Sequence, residues 1–182
     1  MQIKPHRMSG VTLVELMVTV AVLAIVTAIA LPSFQSTIRS NRAATAANEL
    51  LASLMLARSE AIRNGNSAGI CPSANGTSCS SNWSDGWLVW SDADGNGNLD
   101  GTETILRYSQ ARYGIQLSTG SANRFLFDRR GRARGKDGSN ADLAGSQVLT
   151  IKPQNCPAGE QSERDLTITS TGQARLSRSA CA

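Results

Sequence analysis

Three groups of side chains have the types and spacing to do chemistry. The first is Asp92-Ala93-Asp94-Gly95-Asn96-Gly97-Asn98-Leu99-Asp100-Gly101-Thr102-Glu103, which satisfies D-x-[DN]-x-[DN]-G-x5-E at every fixed position. Hard oxygen donors at alternate positions around a sharp glycine turn suit Ca2+. The ligands would be Asp92, Asp94, Asn96, the Asn98 carbonyl, Asp100 and Glu103. The flanks read as strands rather than helices, so this is no EF-hand domain. An Asx- and Gly-rich connection between strands is the competing reading. The second group is Arg129-Arg130-Gly131-Arg132-Ala133-Arg134-Gly135-Lys136, expected as an exposed, glycine-flanked loop. Such a loop can hold phosphates by charge-assisted hydrogen bonds. Arg164, Arg175 and Arg178 are candidates to extend it. The third group is Cys71, Cys79, Cys156 and Cys181.

The charges around these groups segregate. Residues 85–103 hold five acids and no base, and residues 104–136 hold seven Arg and one Lys against Asp128 alone. No aromatic residue interleaves with the arginines to stack a base. The alternatives to nucleic acid are a solvated loop or a surface facing an acidic partner. Four cysteines allow three disulfide connectivities, and locality favours Cys71–Cys79 with Cys156–Cys181. The spacings C-x7-C and C-x24-C do not suit metal ligation.

What the residues exclude is equally informative. The one histidine of the 182 residues is His6. A histidine base and most zinc sites are thereby nearly excluded. There is no G-x-S-x-G and no P-loop. An enzyme is not expected, and no cofactor is required, with Ca2+ as the one candidate. Net charge is a mild +4, with 41% hydrophobic and 18% charged residues, which fits a folded domain.

These groups must be positioned by larger elements. Residues 11–31 read VTLVELMVTVAVLAIVTAIAL, with Glu15 the lone charge. At about 1.5 Å per residue, a helix of this length crosses the bilayer core. Basic residues flank both ends (Lys4, His6 and Arg7 before; Arg39 and Arg42 after). The short N-terminal tail is the less costly end to leave in the cytoplasm, so the bulk of the chain is expected outside. A cleaved signal peptide ending near Ala30 is the competing reading. Against it stands Glu15, a costly residue in an apolar run. A helical pattern also continues through Ile38, Leu50, Leu51, Leu54, Ala57 and Ala61. Asn64-Gly65 supplies the stop, and Pro32 is expected to kink the helix. One long helix over residues 11–63 results, apolar all round at first and amphipathic later.

Beyond it, short strands are expected at 67–71, 87–90, 105–108, 115–117, 124–127, 148–151 and 166–169, punctuated by Gly, Asn, Asp and Ser. The class is α+β: a long N-terminal helix packed against an antiparallel β-sheet head over residues 64–182.

Ser9-Gly10-Val11-Thr12-Leu13-Val14-Glu15-Leu16 resembles the prepilin cleavage motif of type IV pilins and type II secretion pseudopilins. The resemblance implies that residues 1–10 are a leader, removed after Gly10 by a prepilin peptidase of the inner membrane. Val11 would then be N-methylated, although the family prefers Phe or Met there. It implies an assembly role for Glu15, whose carboxylate needs a partner in apolar surroundings. The α-amine of Val11, or that of a neighbouring subunit, would serve and would fix the register between helices. The segment 56–64 resembles the helix end of the GspH/FimT group of minor pilins and pseudopilins, and Trp83, Gly86–Trp90 and Asp92–Glu103 extend the likeness.

That resemblance implies an inner-membrane subunit with a periplasmic head that later joins a pilus. Its partners would be major and minor pilins. Assembly or priming of a type IV pilus is the expected role, with a type II secretion tip complex as an alternative. Some FimT-type pilins bind DNA in transformation through G-R-x-R near the C-terminus. Here Gly172-Gln173-Ala174-Arg175 corresponds but lacks the first arginine, whereas Gly131-Arg132-Ala133-Arg134 matches and lies earlier.

Overall fold

The computed structural model describes residues 10–101 and 103–182. The leader, His6 and Thr102 lie largely or wholly outside the described residues, Gly10 excepted. Helix α1 spans Leu13–Asn64 without interruption, Pro32 included. The chain forms two compact units, one ending at Ile38 and the other running Arg39–Ala182.

In the first unit the helix starts at Leu13, two residues after the expected Val11. Thr12 Oγ1 accepts the Glu15 amide at 3.2 Å, which satisfies one of the amides left free in a first turn. Glu15 therefore lies in that turn, where the helix dipole favours a carboxylate. The apolar side chains around it are bare, with Leu13 75% and Ile29 72% exposed. The polar residues here hide their own hydroxyls. Thr19 donates to the Leu16 carbonyl and Thr27 to the Leu23 and Ala24 carbonyls. A hydroxyl so satisfied carries little cost in hydrocarbon.

In the second unit the same helix buries one face completely. Ala43, Ala46, Ala47, Leu50, Leu54, Ala57 and Ala61 recur at spacings of three and four and are at most 1% exposed. Ile38, expected on this face, is instead exposed, and Leu51 is only partly buried. The alanines carry the first turns of the buried face, because a small side chain lets the sheets come close.

Ten strands follow: β1 Ser67–Pro72, β2 Gly86–Asp92, β3 Thr104–Gln110, β4 Ile115–Thr119, β5 Arg124–Phe127, β6 Ala133–Lys136, β7 Asp142–Leu143, β8 Gln147–Pro153, β9 Glu163–Ile168 and β10 Ala174–Ser179. They form a six-stranded sheet, β3-β2-β1-β5-β6-β7, and a four-stranded sheet, β10-β9-β8-β4. Every pairing is antiparallel. Trp83, Trp87, Val89, Ile70, Phe125 and Phe127 meet Leu149, Ile151, Leu166 and Ile168 in one core with the helix alanines. Trp87 Nε1 donates to Ser53 Oγ at 3.0 Å, so its indole N–H is not orphaned. The opposite side of β1 and β2 carries a smaller cluster of Cys71, Leu88 and Trp90. Gly69 is required there, since a Cβ would fall 2.2 Å from the Trp90 ring.

One expectation is corrected. Residues 133–136 of the basic run are strand β6, not loop. They pair with β5 from Arg124↔Lys136 to Phe127↔Ala133. Alternation explains it: Ala133 and Gly135 are buried while Arg132 and Arg134 are exposed, a period of two masked by the charges.

Candidate functional site

The first feature is the exposed apolar segment of α1. It is the one helix among the described residues long and apolar enough to cross a membrane, and none of its most apolar stretch is buried. Glu15 stands at its start. Gly10 and Val11 lie just before it, with Val11 exposed.

The second feature lies where α1 ends. The loop between β2 and β3 folds around Asp92, which is fully buried. Asp92 Oδ1 accepts the Gly95 amide at 3.0 Å and Oδ2 the Gly97 amide at 3.2 Å. Of the six expected ligands, Asp92, Asp94 and Glu103 bring carboxylate oxygens within 4.8 Å of one another. Asn96 instead offers its amide N–H2 to the loop's carboxylates: Nδ2 donates to Asp94 at 2.6 Å and to Asp100 at 3.2 Å, while its oxygen accepts the Asn98 amide at 2.6 Å. Arg124 Nη1 spans the loop, donating to the Gly97 carbonyl and to Asn98 Oδ1. Burial pushes the Glu103 carboxyl up to about 7. The Asp100 amide opposes the shift, and the side chain and charge of Asp92 with the charge of Asp100 reinforce it.

Beside this loop is the arginine turn between β5 and β6. Asp128 organises it: Oδ1 accepts the Arg130 and Arg132 amides at 2.9 and 3.0 Å, and Oδ2 accepts Arg132 Nε at 2.8 Å. Burial alone would raise the Asp128 carboxyl, yet these hydrogen bonds hold it below its usual range. The Gly131 turn packs on α1 at Arg58 and Ile62. It also abuts the Gly172 turn, where a Cβ would fall 1.8 Å from the Gly131 carbonyl oxygen. The two glycine-arginine strings are thus neighbours. A hollow of about 400 Å³ opens between Asp94, Gly95, Ser67, Arg129 and Arg130.

The basic residues named from sequence do not act as one set. Arg132 is paired with Asp128, and Arg134 and Lys136 with Asp142. Arg129, Arg130 and Arg175 have no ion pair among the described residues. Arg178 is elsewhere, donating to Ser40 Oγ at 3.1 Å. Ser40 and Arg58 are 18 residues apart on α1, about 27 Å. Sequence reasoning missed the role of Asp128, although its spacing to Arg130 and Arg132 is that of a side chain capping its own turn.

Two disulfides complete the head, Cys71–Cys79 and Cys156–Cys181, each with Cα atoms 5.7 Å apart. The second holds the C-terminus to the loop after β8, where the Cys181 amide also donates to the Glu160 carbonyl.

A helix that is bare and apolar in one unit and sealed against antiparallel sheets in the next defines a pilin-like subunit. The chain belongs to the GspH family, described as type II transport protein GspH, which matches residues 46–172. Residues 5–31 match the prokaryotic N-terminal methylation motif. Such subunits are structural and are not enzymes.

Among solved structures, the type IV minor pilin FimU of Pseudomonas aeruginosa (strain PAO1) aligns in two crystal forms. In one the identity is 20%, with 75% of this chain and 89% of that chain covered and a TM-score of 0.53. In the other the values are 21%, 73%, 90% and 0.50. The minor pseudopilin EpsH from the Type 2 Secretion System of Vibrio cholerae aligns at 17% identity over 75% of this chain and 97% of that chain, with a TM-score of 0.49. No curated protein matches the chain.

Proposed function

We propose that the chain is a minor subunit of a type IV pilus that takes part in priming its assembly. Residues 11–31 anchor it in the inner membrane, with the N-terminus in the cytoplasm and the head in the periplasm. Prepilin peptidase cuts after Gly10, Val11 is methylated, and the bare apolar helix then exchanges lipid for the helices of other pilins. The observation that carries this is the contrast within α1, where the stretch before Ile38 buries none of its large apolar side chains. Lipid and like helices are the two environments that would cover such a surface.

N-terminal sequencing of protein purified from cells tests it. N-methylated Val11 as first residue is expected, and Leu31 would overturn the reading. Glu15→Ala is expected to be processed yet to enter filaments poorly, because the helix loses its polar register partner. Normal recruitment would remove that role. A place in a type II secretion filament is the alternative, favoured by the family description. Deletion phenotypes, twitching against protein export, separate the two.

Two finer readings concern the head. Arg129 and Arg130, whose side chains have no ion pair among the described residues, border a hollow that Asp94 and Asp128 also line, and they support DNA binding together with Arg132, Arg134, Lys136 and Arg175. A salt-dependent gel shift lost in Arg129→Ala/Arg130→Ala is the expected result. The convergence of Asp92, Asp94 and Glu103 supports Ca2+ in the β2–β3 loop. An unchanged melting temperature on adding EGTA would remove that reading.

A further inference from the structure

The end of the head farthest from the acidic loop carries a second cationic site. Two guanidinium groups converge on one hydroxyl there, with Arg164 Nη2 and Arg178 Nη2 each donating to Ser40 Oγ at 3.1 Å. Their other acceptors are the Gln161 and Glu163 carbonyls, all neutral. Neither arginine has an ion pair among the described residues, although Arg164 is only 9% exposed. Like charges held together with no counter-ion call for an anion.

Arg39 and Arg42 flank Ser40 on α1. Arg39 keeps an ion pair with Glu160 at 2.9 Å, yet its Nε is buried without an acceptor. Arg42 is exposed and has no ion pair among the described residues. The two arginines and Tyr113 border a hollow of about 130 Å³. Tyr113 is 89% exposed, an unusual state for an aromatic ring on a water-facing turn.

We propose that this end of the head docks on a membrane surface, its exposed Arg42, Arg178 and Tyr113 meeting the phosphates of anionic phospholipid headgroups while the more buried Arg39 and Arg164 add positive charge behind them. Three observations favour that occupant. Only eight residues separate Arg39 from Leu31, the last residue of the apolar run, and that short length of chain limits how far Arg39 can be from a bilayer holding the run. Paired guanidinium groups match a phosphate in geometry and charge. An exposed tyrosine beside basic residues suits the headgroup layer, where an amphipathic ring is favoured. Docking would hold the head against the membrane before assembly, and entry into a filament would release it. The proposal rests on the reading of α1 as a membrane anchor.

Hydrogen–deuterium exchange on the full chain in nanodiscs tests it. Slower exchange is expected for segments 111–115 and 154–164 in discs containing phosphatidylglycerol, relative to pure phosphatidylcholine. Arg42→Ala/Arg178→Ala is expected to lose that protection, whereas Arg129→Ala/Arg130→Ala keeps it. Exchange that is the same in both lipids overturns the proposal. So does protection reproduced in phosphatidylcholine discs by inorganic phosphate alone, which would make the site one for a soluble oxyanion. A chain that fails to enter discs at all would instead refute the membrane anchor.

Discussion

The two stretches of α1 use apolar residues for opposite ends. Before Ile38 the helix is Val, Leu and Ile on every side and buries almost nothing within the chain. After Arg39 it narrows its apolar surface to one stripe, led by alanines, and buries it fully. Large side chains on all sides suit a solvent of lipid or like helices, which approach from every direction. A stripe of small ones suits two sheets that must lie close on one side.

The same substitution should therefore mean different things in the two stretches. Leu54→Ala is expected to cost about 2–5 kcal/mol of head stability in denaturant unfolding, since a fully buried leucine leaves a cavity. Leu23→Ala should leave that midpoint unchanged, and a comparable loss would erase the contrast. Replacing Cys156 and Cys181 together by serine should cost about 2–4 kcal/mol by freeing the unfolded chain. Ser53→Ala is expected to cost about 1–3 kcal/mol, because Trp87 Nε1 loses its acceptor in the core. An unchanged midpoint would show that the indole finds another partner.

The smallest effect sharpens a second comparison, between two neighbouring carboxylates. Glu103 is pushed up to about 7 in the fold from an ordinary 4.5. The native state thus holds its proton more tightly than the unfolded chain does. Its contribution is full below pH 4.5 and is lost as pH rises through 7. Asp128 has the opposite sign, because its folded value is depressed. Its contribution is full above the unfolded value of 3.8 and is lost as pH falls through the depressed one. Melting curves of Glu103→Gln against pH should lose the decline between 4.5 and 7, and an unaltered slope would refute the assignment. Saturating Ca2+ should remove the same decline, since a bound cation favours the charged carboxyl.

Much of this molecule is legible in its residues. The helix, its end near Asn64-Gly65 and most of the strands follow from periodicity and turn chemistry. Strands β6, β7 and β10 do not. β7 is only two residues long, and β6 and β10 lie in arginine-bearing stretches, ARGK and ARLSRS, whose alternation is carried by residues too small or too polar to read as apolar. Ala43, Ala46 and Ala47 are missed for the same reason, whereas Ala57 and Ala61 fall on the expected face. Of the acidic loop, spacing alone fixed which oxygens are near. Which of them converge is seen only in the fold, where Asp92, Asp94 and Glu103 meet while Asn96 donates its amide to Asp94 and Asp100.

What the sequence by itself determined is whatever depends on near neighbours: the bilayer-length apolar run, the placement of Glu15 near the helix start and the class of fold. What only the tertiary structure decided is how charges distant in the chain combine. Arg178 leaves the arginine turn to join Arg164 on Ser40, and Arg39 pairs with Glu160. Local sequence fixes dihedral angles and faces, but electrostatic partnership depends on distances across the sheets, and those are set by how the core packs.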